Sequence, residues 1–371
     1  MAGYIEKITG TIPHTNKFID ISLNGKNLII TGGNGSGKTS FLRDVYENTV
    51  FFIVYNNSPD SRDIQIERRK ISLHPFTFNS GQFYAKYCDK KAVILYFEDK
   101  RLVEITEAKT AKGLHTEKEE NKNIAHDKKI GQKLEQHLLN LKTRRSLAIT
   151  EDRNQTLADS IDVWFKNFET NLKLLFEDDT TELKFDSNTN KFSIKQNDKP
   201  AYTFQTLSAG YRAIFDIYAD LVMRTEYFEI KPTELEGVVF IDEIDSHLHI
   251  SLQRLIFPFF VNSFPNIQFI VTTHSPFVLM SEKNTLVFDL SKEEPYEISQ
   301  AKSQNEVLYE YLGVPTAMPV WAEESLKNIL DKYLGVKPEN ISLSELKEEL
   351  TNAGLEEYFP DSMAKILEAN K

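Results

Sequence analysis

Ten residues constrain this chain more than any others: TGGNGSGKTS, positions 31–40. Gly32, Gly37, Lys38 and Thr39 satisfy Gly-x4-Gly-Lys-[Ser/Thr] between an apolar run, NLIIT (27–31), and a helix-like stretch, Ser40 to Tyr46. A phosphate cradle needs this strand–loop–helix context. Glycines let successive backbone N–H groups converge on one anion, and the helix N-terminus adds its dipole. Gly33, Asn34, Gly35, Ser36 and Ser40 complete the loop, Lys38 can reach terminal phosphates, and Thr39 offers a hydroxyl ligand to Mg²⁺.

The loop alone implies only a nucleoside triphosphate. GVVFIDEIDSHLH (237–249) narrows the reading, because it is an apolar strand ending in two adjacent acids. Asp242 is placed to bind Mg²⁺ through water, and Glu243 to activate water against a γ-phosphate. Consecutive strand residues face opposite ways, so both acids can serve one site only if the strand ends there and the backbone bends.

TLSAGYRAIFDIYADLVMR (206–224) carries Leu207-Ser208-x-Gly210 just ahead of a long amphipathic helix. With the glycine loop and the acidic strand in this order, the chain resembles the ATP-binding-cassette (ABC) superfamily. The resemblance implies a P-loop NTPase fold and ATP with Mg²⁺ as ligands. It also implies that Ser208 and Gly210 close over the γ-phosphate held by another protomer, and that His274, in FIVTTHSPFVL (269–279), is a switch histidine. His247 and His249 form an HxH without a third ligand and are not assigned to zinc. The family's glutamine loop has no secure match. Gln82 is one candidate, and the strand end FEDKR (97–101) is the better placed; Phe18 and His14 are weak candidates for an adenine-stacking aromatic.

Transporter cassettes carry LSGGQ, whereas Tyr211 stands here in place of the glutamine. DEIDSHLH followed by THSP looks instead like the DExxxHLHP…THSP pattern of soluble ABC ATPases related to OLD-family nucleases and the structural-maintenance-of-chromosomes (SMC) class, with Ile250 at the usual proline. Within that branch the chain resembles ATPase subunits of bacterial anti-phage systems: PtuA-like subunits of Septu and retrons, and AriA of PARIS. That resemblance implies a homodimer or a higher even-numbered assembly and a separate effector protein. No HNH-like or Toprim-like nuclease pattern was found in the last 90 residues, which agrees with a separate effector. The alternatives are an SMC-like DNA repair or tethering ATPase and an autonomous OLD-type ATP-dependent nuclease.

The rest of the chain bounds these readings. A net charge of −11 argues against a surface drawn as a whole to nucleic acid or anionic lipid. The basic clusters KTRR (142–145) and RRK (68–70) are read as solvated faces, so nucleic acid is unsupported as a partner. One cysteine, Cys88, and the absence of an apolar leader or a membrane-length run predict a cytoplasmic protein with no membrane partner.

The expected class is α/β with a mixed sheet, in four segments. A first ABC lobe spans 1–110, a helical hairpin insertion 111–178, a second lobe with signature, acidic strand and switch histidine 179–300, and a helical tail 301–371. The polar run 109–129 reads as a solvated linker. Apolar spacing over 128–148 and 155–176 predicts two arms, each roughly 30 Å long, that project from the body. LKFDSNTNKFSIK (183–195) predicts two short strands around a turn, and Ser342 with Glu345 predicts a capping box in the tail.

Overall fold

NLIIT, EGVVFI and IQFIVT are each buried along almost their whole length, which is how strands sandwiched between two layers must read. The computed structural model describes residues 4–12, 18–55, 71–74, 80–101, 104–121, 128–283, 285–297, 320–332 and 343–355. The chain divides into two units, Met1–Val307 and Leu308–Lys371.

The first unit opens with strands β1 (Lys7–Thr11), β2 (Phe18–Ser22) and β3 (Asn27–Thr31), helix α1 (Lys38–Val50), β4 (Ile71–His74), α2 (Ser80–Cys88) and β5 (Ala92–Phe97). Helices α3 (Leu114–Asn121), α4 (Leu134–Thr150) and α5 (Gln155–Phe176) follow, then β6 (Glu182–Asp186), β7 (Lys191–Gln196) and β8 (Lys199–Tyr202). The chain continues through α6 (Ala209–Phe228), β9 (Glu236–Ile241), α7 (Ile250–Ser263), β10 (Ile267–Thr272), α8 (Pro276–Leu279), β11 (Thr285–Asp289) and β12 (Glu294–Glu297).

Six strands form the central sheet in the order β12-β11-β3-β10-β9-β5, with β12 antiparallel and the others parallel. Strand β10 therefore lies between β3, which leads into the glycine loop, and β9, which ends at the acids. Ile270 pairs with Leu28 on one side and with Phe240 on the other, so the three carboxyl ends lie side by side. In open parallel sheets that edge is where ligands bind.

A smaller antiparallel sheet, β2-β1-β4, shares one apolar cluster with this sheet and α1, including Ile8, Ile19, Ile21, Leu28, Phe41 and Phe240. Gln268 ties the N-terminal segment to the central sheet. Its side-chain oxygen accepts the N–H groups of Tyr4 and Ile5, and its amide donates to the Ile5 carbonyl. The expected strands over 183–195 are β6 and β7, and β8 adds a third strand to them. The basic cluster RRK (68–70) lies outside the described residues.

Two expectations change. The polar run 109–129 contains α3, and Glu117 on it is only 3 % exposed. Polarity there reflects pairing, because the Glu117 carboxylate takes bonds from His137, Asn140 and Tyr227. The two helical arms do form, and Asn154 caps α5 by accepting the Leu157 N–H. At 1.5 Å per residue they are about 26 and 33 Å long. They pack against α6 and α7 and do not project freely. Trp164 donates to Glu226 of α6, and the Phe168 ring stacks near Tyr218.

In the second unit, α9 (Val320–Asp331) and α10 (Leu343–Asn352) bury Ala322, Leu326, Ile329, Leu346 and Leu350 against each other. Their apolar faces are therefore occupied by one another. Ser342 of the expected capping box lies outside the described residues.

Candidate functional site

The site begins where β3 stops. Gly37 adopts the left-handed conformation (φ 94°) and starts α1 without a side-chain cap. The first-turn N–H groups of a helix have no intrahelical acceptors, so those of α1 are available to an anion. Lys38 opens α1 and folds back over the loop, its ammonium donating to the carbonyls of Gly32 (3.0 Å) and Gly33 (3.1 Å). It is 8 % exposed. Burial pulls its pKa below the ordinary lysine value, against the fields of Glu243, Asp242, Asp289 and Asp245.

On the other side of β10, β9 ends at Ile241. The N–H of Asp242 still pairs with Phe97 of β5 at 2.9 Å, and Glu243 then turns into the left-handed region at φ 46°. This is the bend that two adjacent acids require if both are to serve one site. Asp242, 2 % exposed, accepts the hydroxyl of Thr272 at 2.5 Å, and the Thr272 oxygen in turn accepts the Glu243 N–H at 2.7 Å. Thr272 ends β10, so one hydroxyl positions both acids.

His274 follows at the same edge. Its ring reaches solvent, yet partial burial and the nearby Lys38 ammonium lower its pKa, opposed by Asp245 and Glu243. Next to it Thr273 bonds Asp245, and Ser275 caps α8 by accepting the Phe277 N–H at 3.1 Å. Lys38, Asp242, Glu243 and His274 thus share one electrostatic neighbourhood.

Ser208 and Gly210 stand at the start of α6. Ser208 occupies the N-cap position of α6 in an extended conformation, but its hydroxyl makes no capping bond. Gly210 packs against the loop after β9, where an added Cβ would lie 2.8 Å from the His247 carbonyl oxygen. Tyr211, the departure from the transporter signature, lies on Phe176 of α5 with ring centroids 4.3 Å apart. His249 caps α7, accepting the Ser251 N–H, and is used by the helix.

The donor set fits a nucleoside triphosphate with Mg²⁺. Ser36 Oγ is buried within the loop without a hydrogen-bond partner among the described residues. Thr39 is exposed beside it. Among the described residues there is no group of three or more metal-ligating side chains. Mg²⁺ bound through phosphate oxygens, water, one hydroxyl and one carboxylate does not need such a group.

Three residues escaped the sequence reading. Arg101 is 6 % exposed, and its guanidinium donates to the carbonyls of Asp242 (2.8 Å), Glu243 (2.7 Å) and Ile244 (3.3 Å). Ser291, just after β11, accepts the Gly33 N–H at 2.8 Å, and Thr272 links the acids as described. The strand end 97–101 marks where to look for Arg101; Ser291 has no comparable local signal. Gln82 lies exposed in the first turn of α2, Phe18 is 64 % exposed on β2, and His14 lies outside the described residues.

A family model described as "AAA domain, putative AbiEii toxin, Type IV TA system" matches residues 100–281, which hold Ser208, Gly210, Asp242, Glu243 and His274. The chain is 28 % identical over 258 residues to the Retron Ec83 probable ATPase of Escherichia coli, covering 67 % of this chain and 42 % of that protein. It is 42 % identical over 101 residues to the Retron Vc95 probable ATPase of Vibrio cholerae, covering 27 % and 18 %. It is 30 % identical over 159 residues to the Septu protein PtuA of Bacillus mycoides, covering 40 % and 21 %. The chain thus spans less than half the length of these curated relatives. With a glycine loop, an acidic strand end and a signature-like turn on a sheet of this order, the chain is similar to the probable ATPases of retrons and to PtuA of Septu.

Proposed function

We propose that the chain binds and hydrolyses ATP at a site completed by a second copy of itself, and that closure of the pair regulates a separate effector protein, a nuclease. The observation that carries this reading is the convergence of Lys38, Asp242, Glu243 and His274 at the ends of three adjacent parallel strands. Ser208, at the start of α6 with its hydroxyl making no capping bond, would act across the interface between the two copies.

In this mechanism the loop N–H groups from Gly33 to Ser40 hold the phosphate chain, and Lys38 swings from the Gly32 and Gly33 carbonyls toward the terminal phosphates. Thr39 and, through water, Asp242 would hold Mg²⁺, which supplies neutralisation of charge on the β- and γ-phosphates. Glu243 accepts the proton of the attacking water, and His274 donates to the γ-phosphate. ATP and water give ADP and phosphate. Ser208 and the α6 N-terminus of the second protomer close over the same phosphate, so closure reports bound ATP and hydrolysis releases it. The separate effector is what the family resemblance implies, and the retron and Septu relatives support the ATPase part of the reading. No described helix is long and apolar enough to cross a membrane.

Mass measurement in solution tests the composite site. The Glu243→Gln protein with ATP should form a dimer or an even-numbered assembly, and the Lys38→Ala protein should not. A strict monomer for Glu243→Gln with ATP bound would overturn it. Co-purification with the native partner, kept or lost according to nucleotide, tests the regulatory half.

A further inference from the structure

The acidic loop is held from two sides, and only one of them is the sheet. The N–H groups of Asp242, Glu243 and Ile244 donate to the Phe97 carbonyl, the Thr272 hydroxyl and the Thr272 carbonyl. The three carbonyls of the same residues have left the ladder, because the backbone turns left-handed at Glu243, a conformation that a non-glycine residue adopts at a cost. All three point at Arg101, which follows β5 and stands 141 to 143 residues away in sequence.

We propose that Arg101 is a positioning residue for hydrolysis, whose guanidinium fixes the acidic loop from its carbonyl side and so sets where the Glu243 carboxylate stands. The inference rests on the hydrolysis reading above. The bonds go to backbone oxygens, so Arg101 acts through Glu243 and does not touch the reacting atoms. A planar fork with several donors can serve three carbonyls together, whereas the point charge of a lysine cannot span them in the same way. Arg101 also faces Asp216 of α6 electrostatically, eight residues beyond Ser208. The side chain that shapes the acidic loop is thus also close to the helix that carries the signature serine.

The test uses the full chain with Arg101→Met and Arg101→Lys. A displacement of a catalytic group by about 1 Å can cost on the order of 100-fold in turnover. Arg101→Met should therefore lower kcat by about 100-fold while the ATP dissociation constant stays within about threefold, and Arg101→Lys should recover roughly a tenth of the wild-type rate. In a Glu243→Gln background, Arg101→Met should cause no further loss, because the group it positions is already gone. Without nucleotide, amide exchange at Glu243 and Ile244 should be faster in Arg101→Met, a reading of loop position that needs no turnover. Unchanged exchange, an equal fall in ATP affinity and turnover, an additive loss in the double variant, or failure of both variants to fold would each overturn the positioning role. An inactive wild-type chain that shows the exchange difference would instead sink the hydrolysis reading.

Discussion

Two of the regions that bury charge in this molecule do so in opposite ways. Where α3, α4 and α6 meet, His137 is 1 % exposed and bonded at both ring nitrogens, to Glu117 and to Glu226 at 3.2 Å. Burial alone would lower its pKa, but the two carboxylates outweigh burial and raise it to about 9. Glu226 takes a further bond from Trp164, and Glu117 from Asn140 and Tyr227. At the strand ends, Lys38 is also buried, yet it bonds only neutral loop carbonyls, and its pKa falls. A charge whose partners are all supplied by the fold stabilises the fold. A charge left without a counter-ion partner is held for a ligand that brings one.

The comparison breaks if the strand-end charges prove structural. Glu243→Gln should cut turnover by roughly 10²- to 10⁴-fold with ATP binding kept, measured by phosphate release and nucleotide titration. It should barely move the melting temperature. His137→Ala should do the reverse, lowering stability by roughly 3–5 kcal/mol in denaturant unfolding, because it leaves two buried carboxylates facing each other.

The pH dependence of melting sharpens the same contrast. His137 titrates near 6.5 ordinarily and near 9 when folded, so its contribution is complete below about pH 6.5 and fades as the pH rises through about 9. Glu117 and Glu226 have folded pKa values below the ordinary 4.5, despite burial, so theirs is present above about pH 4.5 and lost on further acidification. Wild-type protein should melt highest between these limits, and His137→Ala should lose the alkaline slope. Gly210→Ala brings a methyl group against the His247 carbonyl and should cost about 1–3 kcal/mol in stability, with weaker ATP-driven assembly seen by solution mass. Arg145→Ala removes a half-exposed pair with Asp162 between α4 and α5 and should shift stability by no more than about 1 kcal/mol.

The strand-end half of the candidate site was legible because its signals are local. Gly32 to Ser40, Asp242 with Glu243, and His274 each stand at the end of a run whose apolar residues announce a buried strand. Even the bend at Glu243 follows from needing two adjacent acids on one side. The α4–α5 pair was legible from its period, but its packing against α6 and α7 was not, since an amphipathic face does not say what covers it. Helix α3 was hidden by composition. Glu117 and Asn121 look solvated in sequence and are buried in the structure, because their partners come from α4 and α6 and from the segment before α4.

The chain's own order of residues determined a glycine loop between strand and helix, a strand ending in a paired acid, a signature-like turn and the resemblance to ATPases that combine them. Tertiary structure decided the rest. It set β10 between β3 and β9, closed Gly210 on the His247 loop, clamped His137 between two glutamates, and brought Arg101 under carbonyls more than 140 residues away. A strand or a glycine loop is specified by neighbours a few residues apart and so leaves a period or a motif. A bond between distant residues depends on how the layers stack, and no spacing within the sequence records it.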